Sequence, residues 1–179
     1  MYKVIIPSYN RSETLKNKTL LYLQKTNIPP KNIFIYVANE EEKNIYKCTL
    51  DKKTYAEIIV GKRGLPQQRN FIQKTHKINE NLFMLDDDIK KINMKINDKK
   101  LMEIEDLDNF ITFAFDLCKK NKARYFGTYP VDNPYFMKNA ITFDLRYIVA
   151  NISGTINNHD IFRDEGEECK ARKDYSGFV

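Results

Sequence analysis

The chain has 179 residues, of which 42% are hydrophobic and 12% aromatic, and this composition excludes a disordered chain and predicts one domain with a hydrophobic core. No apolar run approaches the roughly 20 residues that span a bilayer, and the first seven residues lack the long apolar region of a secretory peptide. Lys and Arg outnumber Asp and Glu by 30 to 24, giving a net charge of +6, which favours phosphate-bearing or polyanionic partners. Because the sequence shows neither a membrane-spanning run nor a secretory peptide, we expect a cytosolic protein.

Short apolar runs alternate with helical patterns through the first half of the chain. The first run is followed by a leucine-rich stretch that predicts a helix with Ser12 as its cap. Pro66 suits the first position of another helix, which continues to about His76. Strands are predicted at residues 3–6, 33–37, 57–60 and 82–85. Such alternation indicates an α/β fold with a mostly parallel sheet and helices on both faces.

The pattern changes after residue 88. Residues 89–100 alternate apolar and basic side chains, which predicts a hairpin or an edge strand, with a turn at Asn97-Asp98. Asp106 opens a helix whose apolar side chains recur at three- and four-residue spacing as far as Cys118, and we expect this stripe to lie in the core. Residues 140–152 predict a strand pair. The whole chain, 1–179, is read as a single domain.

The most informative segment is an apolar run that ends at Asp86-Asp87-Asp88. Two unit charges about 4 Å apart repel by roughly 1 kcal/mol in water and about 4 kcal/mol at an effective dielectric near 20, so neighbouring carboxylates favour a bound cation. Because alternate side chains of an extended chain share a face, we expect Asp86 and Asp88 to converge while Asp87 points away. Oxygen ligands suit Mg²⁺ or Mn²⁺. A solvated acidic turn or a helix cap explains an isolated triplet equally well.

Ligands of open parallel sheets bind beyond the carboxyl ends of the strands. The segments that follow the four predicted strands are residues 8–11, 39–42, 62–69 and 86–88. The basic turn at Lys62-Arg63-Gly64 and the helix start after it can present cations and free amides to a diphosphate. We therefore predict one rim that binds a nucleoside diphosphate together with Mg²⁺ or Mn²⁺.

Other reaction classes lack their motifs in this sequence. It contains no Gly-x-x-x-x-Gly-Lys-Ser/Thr loop, no Gly-x-Gly-x-x-Gly fingerprint and no nucleophile elbow. The three cysteines form no Cys-x-x-Cys pair, so neither a zinc knuckle nor a disulfide framework is indicated.

Three segments together resemble the family 2 glycosyltransferases of the GT-A type. Val4-Ile5-Ile6-Pro7-Ser8-Tyr9-Asn10-Arg11 is similar to their opening strand and loop, and residues 61–70, ending Gln68-Arg69-Asn70, are similar to their diphosphate-side segment. Met84-Leu85-Asp86-Asp87-Asp88 resembles their Asp-x-Asp metal motif. More loosely, the chain resembles viral and phage glycosyltransferases of this fold, some of which are associated with modified DNA bases; this would place it in the host cytoplasm.

The resemblance implies a GT-A-like, Rossmann-like sheet flanked by helices. Residues 1–100 would form the nucleotide-sugar-binding half, and residues 101–179 a more irregular acceptor-side half. The residues implied to bind the donor are Pro7, Ser8, Tyr9, Arg11, Asn39, Glu40, Arg63, Arg69, Asp86 and Asp87. Ser8 and Tyr9 are open to a second interpretation, as a loop cap and a packed ring, and Arg69 as a surface helix residue.

Asp86 and Asp88 are the predicted ligands of Mn²⁺ or Mg²⁺. Neutral imidazole is also a good metal ligand, so His159 is a candidate third ligand, whereas His76 is expected to be exposed. An inverting enzyme needs a carboxylate to deprotonate the acceptor, and Asp164 or Glu165 is the candidate. An exposed acidic turn, or a retaining mechanism without such a base, is the alternative.

The expected function is metal-dependent transfer of a sugar from a nucleotide-diphosphate donor, a UDP-sugar by preference, to a hydroxyl acceptor on a modified DNA base or a glycan. One alternative is a sugar-phosphate nucleotidyltransferase, although such enzymes normally carry a Gly-rich, Arg-containing loop that residues 7–11 lack. Another is a non-catalytic nucleic-acid-binding module that uses the basic surface.

Overall fold

The computed structural model describes residues 1–129, 132–138, 140–143 and 151–159. The strands of this part are β1 (Tyr2–Pro7), β2 (Ile33–Val37), β3 (Glu57–Val60), β4 (Asn81–Leu85), β5 (Asn93–Asn97), β6 (Lys100–Glu103), β7 (Tyr125–Gly127) and β8 (Ile152–Ile156). Six of the strands form one sheet in the order β3-β2-β1-β4-β8-β7, and β5 and β6 form a separate hairpin.

The six-stranded sheet is mixed. Strands β1 to β4 are mutually parallel, whereas β8 pairs antiparallel with both β4 and β7. The predicted α/β class is therefore confirmed, and the four strands predicted for the first half agree with the observed ones to within a residue at each end. Of the strand pair predicted at residues 140–152, residues 140–143 form no strand, residues 144–150 lie outside the described residues, and β8 begins at Ile152.

The helices alternate with these strands. They are α1 (Ser12–Leu15), a π-helical segment (Lys16–Leu20), α2 (Leu21–Lys25), α3 (Glu40–Thr49), α4 (Leu65–Thr75) and α5 (Leu107–Lys120). Single 3₁₀ turns are formed by Pro30–Asn32 and Lys52–Thr54. Ser12 is the first helical residue rather than the cap, since Arg11 occupies the cap position. No helix of the described residues is long and apolar enough to cross a membrane.

The sheet buries both of its faces. Helix α4 covers one face, where Ile72 packs with Ile5, Tyr36 and Met84. The remaining helices cover the other face, whose larger cluster includes alternate residues of β1, β2 and β4. This is why the strands read as continuous apolar runs rather than as an alternation of polar and apolar residues.

The chain order creates a crevice between β1 and β4. From β1 the chain proceeds outward to β2 and β3, and it then returns to the other side of β1 to form β4. Such a reversal of strand order is the position at which open α/β sheets bind ligands, beyond the carboxyl ends of the strands. The residues that follow β1 and β4 are therefore placed side by side.

The hairpin and the helix of the second half also follow the prediction. The turn between β5 and β6 includes Asp98, and the Asp106 side chain caps α5 by accepting a hydrogen bond from the Asn109 amide. The buried residues of α5 include Ile111 and Cys118 from the predicted stripe, together with Phe115 from outside it.

His76 differs from the prediction of an exposed side chain. It is buried at the end of α4, with Nε2 at 2.8 Å from the Tyr36 hydroxyl and Nδ1 at 2.9 Å from Glu80 Oε2. The charged residues beside it in sequence suggested a surface position, but the ring turns toward the sheet, where tertiary packing decides its burial.

Candidate functional site

A cleft of about 430 Å³ lies at the carboxyl edge of the sheet, where the strand order reverses. It is lined by Pro7, Ser8, Tyr9, Arg11, Ala38, Lys62, Arg63, Gly64, Leu65, Gln68, Asp86, Asp87 and Asp88. The loop after β1, the turn before α4 and the aspartate turn after β4 thus meet around one space. Three of the four rim segments expected from the sequence are brought together here, whereas the predicted segment after β2, residues 39–42, does not line the cleft and only Ala38 before it does.

The loop after β1 is joined to the aspartate turn by hydrogen bonds of fixed direction. Ser8 Oγ lies 2.6 Å from Asp87 Oδ2 and 2.6 Å from the Tyr46 hydroxyl. A carboxylate only accepts, so Ser8 donates to Asp87 and must receive its own hydrogen bond from Tyr46. The Tyr46 oxygen in turn accepts the Arg11 amide at 3.1 Å. Burial raises the pKa of Tyr46, so its hydroxyl keeps the proton that it donates to Ser8.

A second buried side chain fixes the loops after β1 and β2. Glu42 Oε1 accepts the Asn10 amide at 2.7 Å, and Oε2 accepts the Ala38 amide at 3.3 Å. Asn10 adopts a positive φ of 53°, a conformation that asparagine tolerates better than most residues. Because Glu42 is held by α3, this helix sets the spacing of the two loops.

The three consecutive aspartates have three different environments. The side chain of Asp87 is only 7% exposed, whereas those of Asp86 and Asp88 are 34% and 41% exposed. The expectation that Asp87 points away from the others is wrong. Strand β4 ends at Leu85, so the alternation of an extended chain does not continue through the triplet, and all three residues line the cleft.

Two arginines balance these carboxylates. Arg69 Nη2 lies 2.7 Å from Asp86 Oδ1, and Arg11 Nη1 lies 2.9 Å from Asp87 Oδ1 and 3.4 Å from Asp88 Oδ2. Arg69 is buried, which excludes the interpretation of it as a surface helix residue. The hydrogen bond with Asp87 raises the pKa of the Arg11 guanidinium.

Burial and neighbouring charges act on Asp86 in opposite directions. Burial raises its pKa above the ordinary range, the positive charge of Arg69 opposes that rise, and the negative charge of Asp88 adds to it. A cation beside Asp86 and Asp88 would relieve both the repulsion between them and the cost of burial.

The π-helical segment supports the aspartate turn from behind. Thr19 is fully buried, and its hydroxyl donates to the Asp86 carbonyl at 2.8 Å and accepts the Ile89 amide at 2.9 Å. One side chain therefore fixes both ends of the segment that carries the carboxylates. Single-turn π segments are rare and often occur at functional sites.

The basic turn on the other side of the cleft is fixed by Gln68. Its Oε1 accepts the Lys62 amide at 2.6 Å and its Nε2 donates to the Val37 carbonyl at 3.1 Å. Gly64 precedes α4 with a φ of 94°, which glycine adopts without strain. The Arg63 guanidinium lies 5.6 Å from the centre of the Tyr9 ring, within the range of a cation–π contact.

Several predicted site residues do not reach the cleft. The Asn39 side chain caps α3 by accepting the Glu42 amide, and Glu40 is exposed beside Lys43. His159 Nε2 lies 2.6 Å from the His76 carbonyl, near the start of β4, and is thus at the opposite edge of the sheet from the aspartates. His159 as a third metal ligand is therefore corrected. Asp164 and Glu165 lie outside the described residues.

Asp86 and Asp88 are the two carboxylates of the cleft that could hold a hard divalent cation. Asp86 and Asp88 each keep part of their side chain at the cleft surface, and Mg²⁺ usually binds one or two carboxylates together with water and substrate phosphates. Among the residues that the structure describes, no group of three or more His, Cys, Asp or Glu side chains is arranged to hold a metal. The other ligands of a metal at Asp86 and Asp88 would come from water or from the substrate.

Reasoning from sequence missed Thr19 and Tyr46, and it missed the supporting roles of Glu42 and Gln68, which fall within the predicted rim segments. Glu42 had a local signal, because an Asn followed three residues later by Glu resembles a capping box. Thr19 and Tyr46 act across long separations in sequence, as Ser8 and Tyr46 do over 38 residues.

Neither a protein-family model nor a curated protein matches the chain. What the structure defines is an α/β protein whose mixed sheet carries, at its carboxyl edge, a cleft lined by arginines, a lysine and three aspartates.

Proposed function

We propose that the chain is a metal-dependent glycosyltransferase of the GT-A type, which transfers a sugar from a nucleotide-diphosphate donor to a hydroxyl acceptor. The donor we propose is a UDP-sugar, and the acceptor a modified DNA base or a glycan. One observation carries the proposal: the loop after β1, the basic turn before α4 and the aspartate turn after β4 line a single cleft. Cations for a diphosphate and carboxylates for its metal are thus available in the same space.

The basic turn is the part suited to the diphosphate. Lys62 and Arg63 lie in it, and the 11-residue helix α4 begins directly after Gly64. The first amides of a helix have no partner within the helix and attract anions. Cleft size agrees as well, since about 430 Å³ lies within the range of roughly 300–1,000 Å³ found for small-molecule sites.

Asp86 and Asp88 would hold Mn²⁺ or Mg²⁺, which when bound would supply positive charge to the departing diphosphate. The chain's own residues prepare that position. Arg69 fixes one oxygen of Asp86, and Thr19 fixes the backbone at both ends of the turn. Asp87 is bonded to Ser8 and Arg11, so its role is to join the two loops rather than to bind the metal.

The acceptor side of the proposal rests on fewer observations. Asp164 or Glu165 is proposed as the base that would deprotonate the acceptor hydroxyl. The role of this base can be tested only once donor binding has been established, so donor binding is measured first.

Isothermal titration calorimetry of UDP and GDP, each with and without Mn²⁺, tests the donor site. We expect metal-dependent binding of at least one nucleotide by the wild type, and its loss in the Asp86→Ala, Asp88→Ala double variant. The matched control, Glu105→Ala, Asp116→Ala, removes two exposed carboxylates outside the cleft and should bind like the wild type. Equal binding by all three proteins, or none by the wild type, contradicts the proposal.

The product separates the proposed transferase from a nucleotidyltransferase. A glycosyltransferase releases a nucleoside diphosphate, whereas a nucleotidyltransferase releases pyrophosphate. A nucleic-acid-binding module instead predicts strongly salt-dependent binding of DNA or RNA that survives the loss of Asp86 and Asp88.

A further inference from the structure

The two arginines of the cleft are held in different ways. Arg69 has only 8% of its side chain exposed, and it forms an ion pair with Asp86. Arg11 is 53% exposed, and a single nitrogen of its guanidinium lies within 3.4 Å of both Asp87 and Asp88. Arg11 therefore holds a position between two carboxylates that a small cation would also favour.

The two contacts of Arg11 are unequal. Asp87 is the nearer, at 2.9 Å, and its side chain is 7% exposed. A buried carboxylate that loses its cation is strongly disfavoured. Asp88 is farther from Arg11, at 3.4 Å, and is 41% exposed, so water can replace the arginine there at little cost. Asp87 is thus the fixed partner of Arg11, and Asp88 the exchangeable one.

We propose that Arg11 is an internal counter-ion which competes with the divalent cation for Asp88, keeping Asp87 and releasing Asp88 when the cation binds. This inference rests on the proposed function, because the cation is the one that the donor site would hold. Asp87 then acts as a positioning residue: with Ser8 and Tyr46 it keeps the guanidinium at the cleft during the exchange. The half-exposed guanidinium edge is free to meet the diphosphate that arrives with the metal.

The proposal makes a prediction of unusual sign. Removing a side chain from a binding site normally weakens binding, but removing a competitor strengthens it. Cation binding in the absence of nucleotide should therefore become tighter when Arg11 loses its charge. A residue that merely supports the loop would give weaker binding or no change.

Titration of Mn²⁺ alone, followed by the electron paramagnetic resonance signal of free Mn²⁺, measures this effect on Arg11→Gln. The matched control is Arg63→Gln, which removes one positive charge from the same cleft while its guanidinium lies over Tyr9. We expect Arg11→Gln to bind Mn²⁺ at least about fivefold tighter than Arg63→Gln, a size typical of coupled sites. Equal affinities, or weaker binding by Arg11→Gln, overturn the proposal.

Arg11→Lys separates the charge from other effects of the substitution. Lysine keeps the positive charge on a flexible stem, so its affinity for Mn²⁺ should stay within about threefold of the wild type. A gain equal to that of Arg11→Gln would show that lost packing rather than lost competition caused it. Melting curves of all four proteins establish that each is folded.

Repeating the Mn²⁺ titrations with saturating UDP or GDP distinguishes this inference from the proposed function. If no protein binds Mn²⁺ with or without a nucleotide, both fail. If the wild type binds Mn²⁺ with a nucleotide but, without a nucleotide, Arg11→Gln binds Mn²⁺ no more tightly than Arg63→Gln, the competition is refuted and the donor site stands.

Discussion

Burial assigns different tasks to the adjacent aspartates of the cleft. Asp87 is enclosed and accepts hydrogen bonds from Ser8 and Arg11, so its charge is used inside the protein. Asp86 and Asp88 remain partly exposed at the cleft, and each pairs with an arginine. Hydrogen bonds to a charged group are among the stronger ones in proteins. The bonds of Ser8 and Arg11 to Asp87 therefore hold the loop after β1 against the turn after β4.

Tyr46→Phe tests the chain of hydrogen bonds at the level of one atom. Removing the hydroxyl leaves the Arg11 amide without its acceptor and Ser8 without its donor, so we expect the free energy of unfolding to fall by about 1–3 kcal/mol. Chemical denaturation measures the change. Tyr55→Phe is the control, since this partly buried ring takes no part in the hydrogen bonds that link Tyr46 to Asp87. It should lower the free energy of unfolding by less than about 0.5 kcal/mol. Equal losses in the two variants would contradict the role of the Tyr46 hydroxyl.

The π-helical segment connects helix geometry to the aspartate turn at the scale of elements. Its wider turn falls at Lys16–Leu20 and includes Thr19, whose hydroxyl bonds the backbone of Asp86 and of Ile89. Helices α1 and α2 continue on either side of it. An element packed against the core therefore holds a surface turn in place.

Thr19→Val measures that support, because valine has nearly the shape of threonine without the hydroxyl. We expect a loss of about 1–3 kcal/mol in the free energy of unfolding, together with weaker Mn²⁺-dependent nucleotide binding as the turn loosens. Thr49→Val is the control, since the Thr49 hydroxyl donates to the Ile45 carbonyl of its own helix and lies away from the aspartate turn. If Thr19→Val binds the nucleotide as tightly as the wild type, the π-helical segment does not support the site.

The elements could be predicted from the sequence where local pattern decides them. Strands β2 and β3 were predicted at their observed bounds, because β-branched runs ended by turn residues leave little choice. Asp87 was misplaced because the alternation rule ends with the strand, one residue before the triplet begins. His76 and Tyr46 were missed because their partners come from distant strands and loops, and periodicity carries no information about such contacts.

At the scale of the whole molecule, His76 predicts how stability depends on pH. Burial lowers its pKa below the ordinary 6.5, against the opposing hydrogen bond of Glu80. Groups that face the ring also include Lys3, at 3.5 Å from Nδ1, and the Tyr36 hydroxyl. The unfolded chain thus takes up the proton more readily than the folded protein, so stability that is fully present above about pH 6.5 is lost as the pH falls below that value and through the lower pKa of the folded state.

We expect the free energy of unfolding to be smaller at about pH 5.5 than at about pH 7.5, and His76→Gln to show a weaker dependence over that interval. Glu80 contributes separately and at lower pH: burial alone would raise its pKa, but hydrogen bonds from Lys3 and His76 lower it below the ordinary 4.5. Denaturant titrations at the two pH values measure this difference. If the free energy of unfolding of His76→Gln changes between them as much as that of the wild type, the role of His76 is contradicted.

The central claim is that one cleft holds a nucleoside diphosphate and its metal. A crystal structure grown with UDP and Mn²⁺, with data collected at the manganese absorption edge, tests it most directly. We expect an anomalous peak in contact with Asp86 and Asp88. We expect the diphosphate to lie between that peak and the basic turn at residues 62–64. Nucleotide bound elsewhere, or manganese away from both carboxylates, would contradict it.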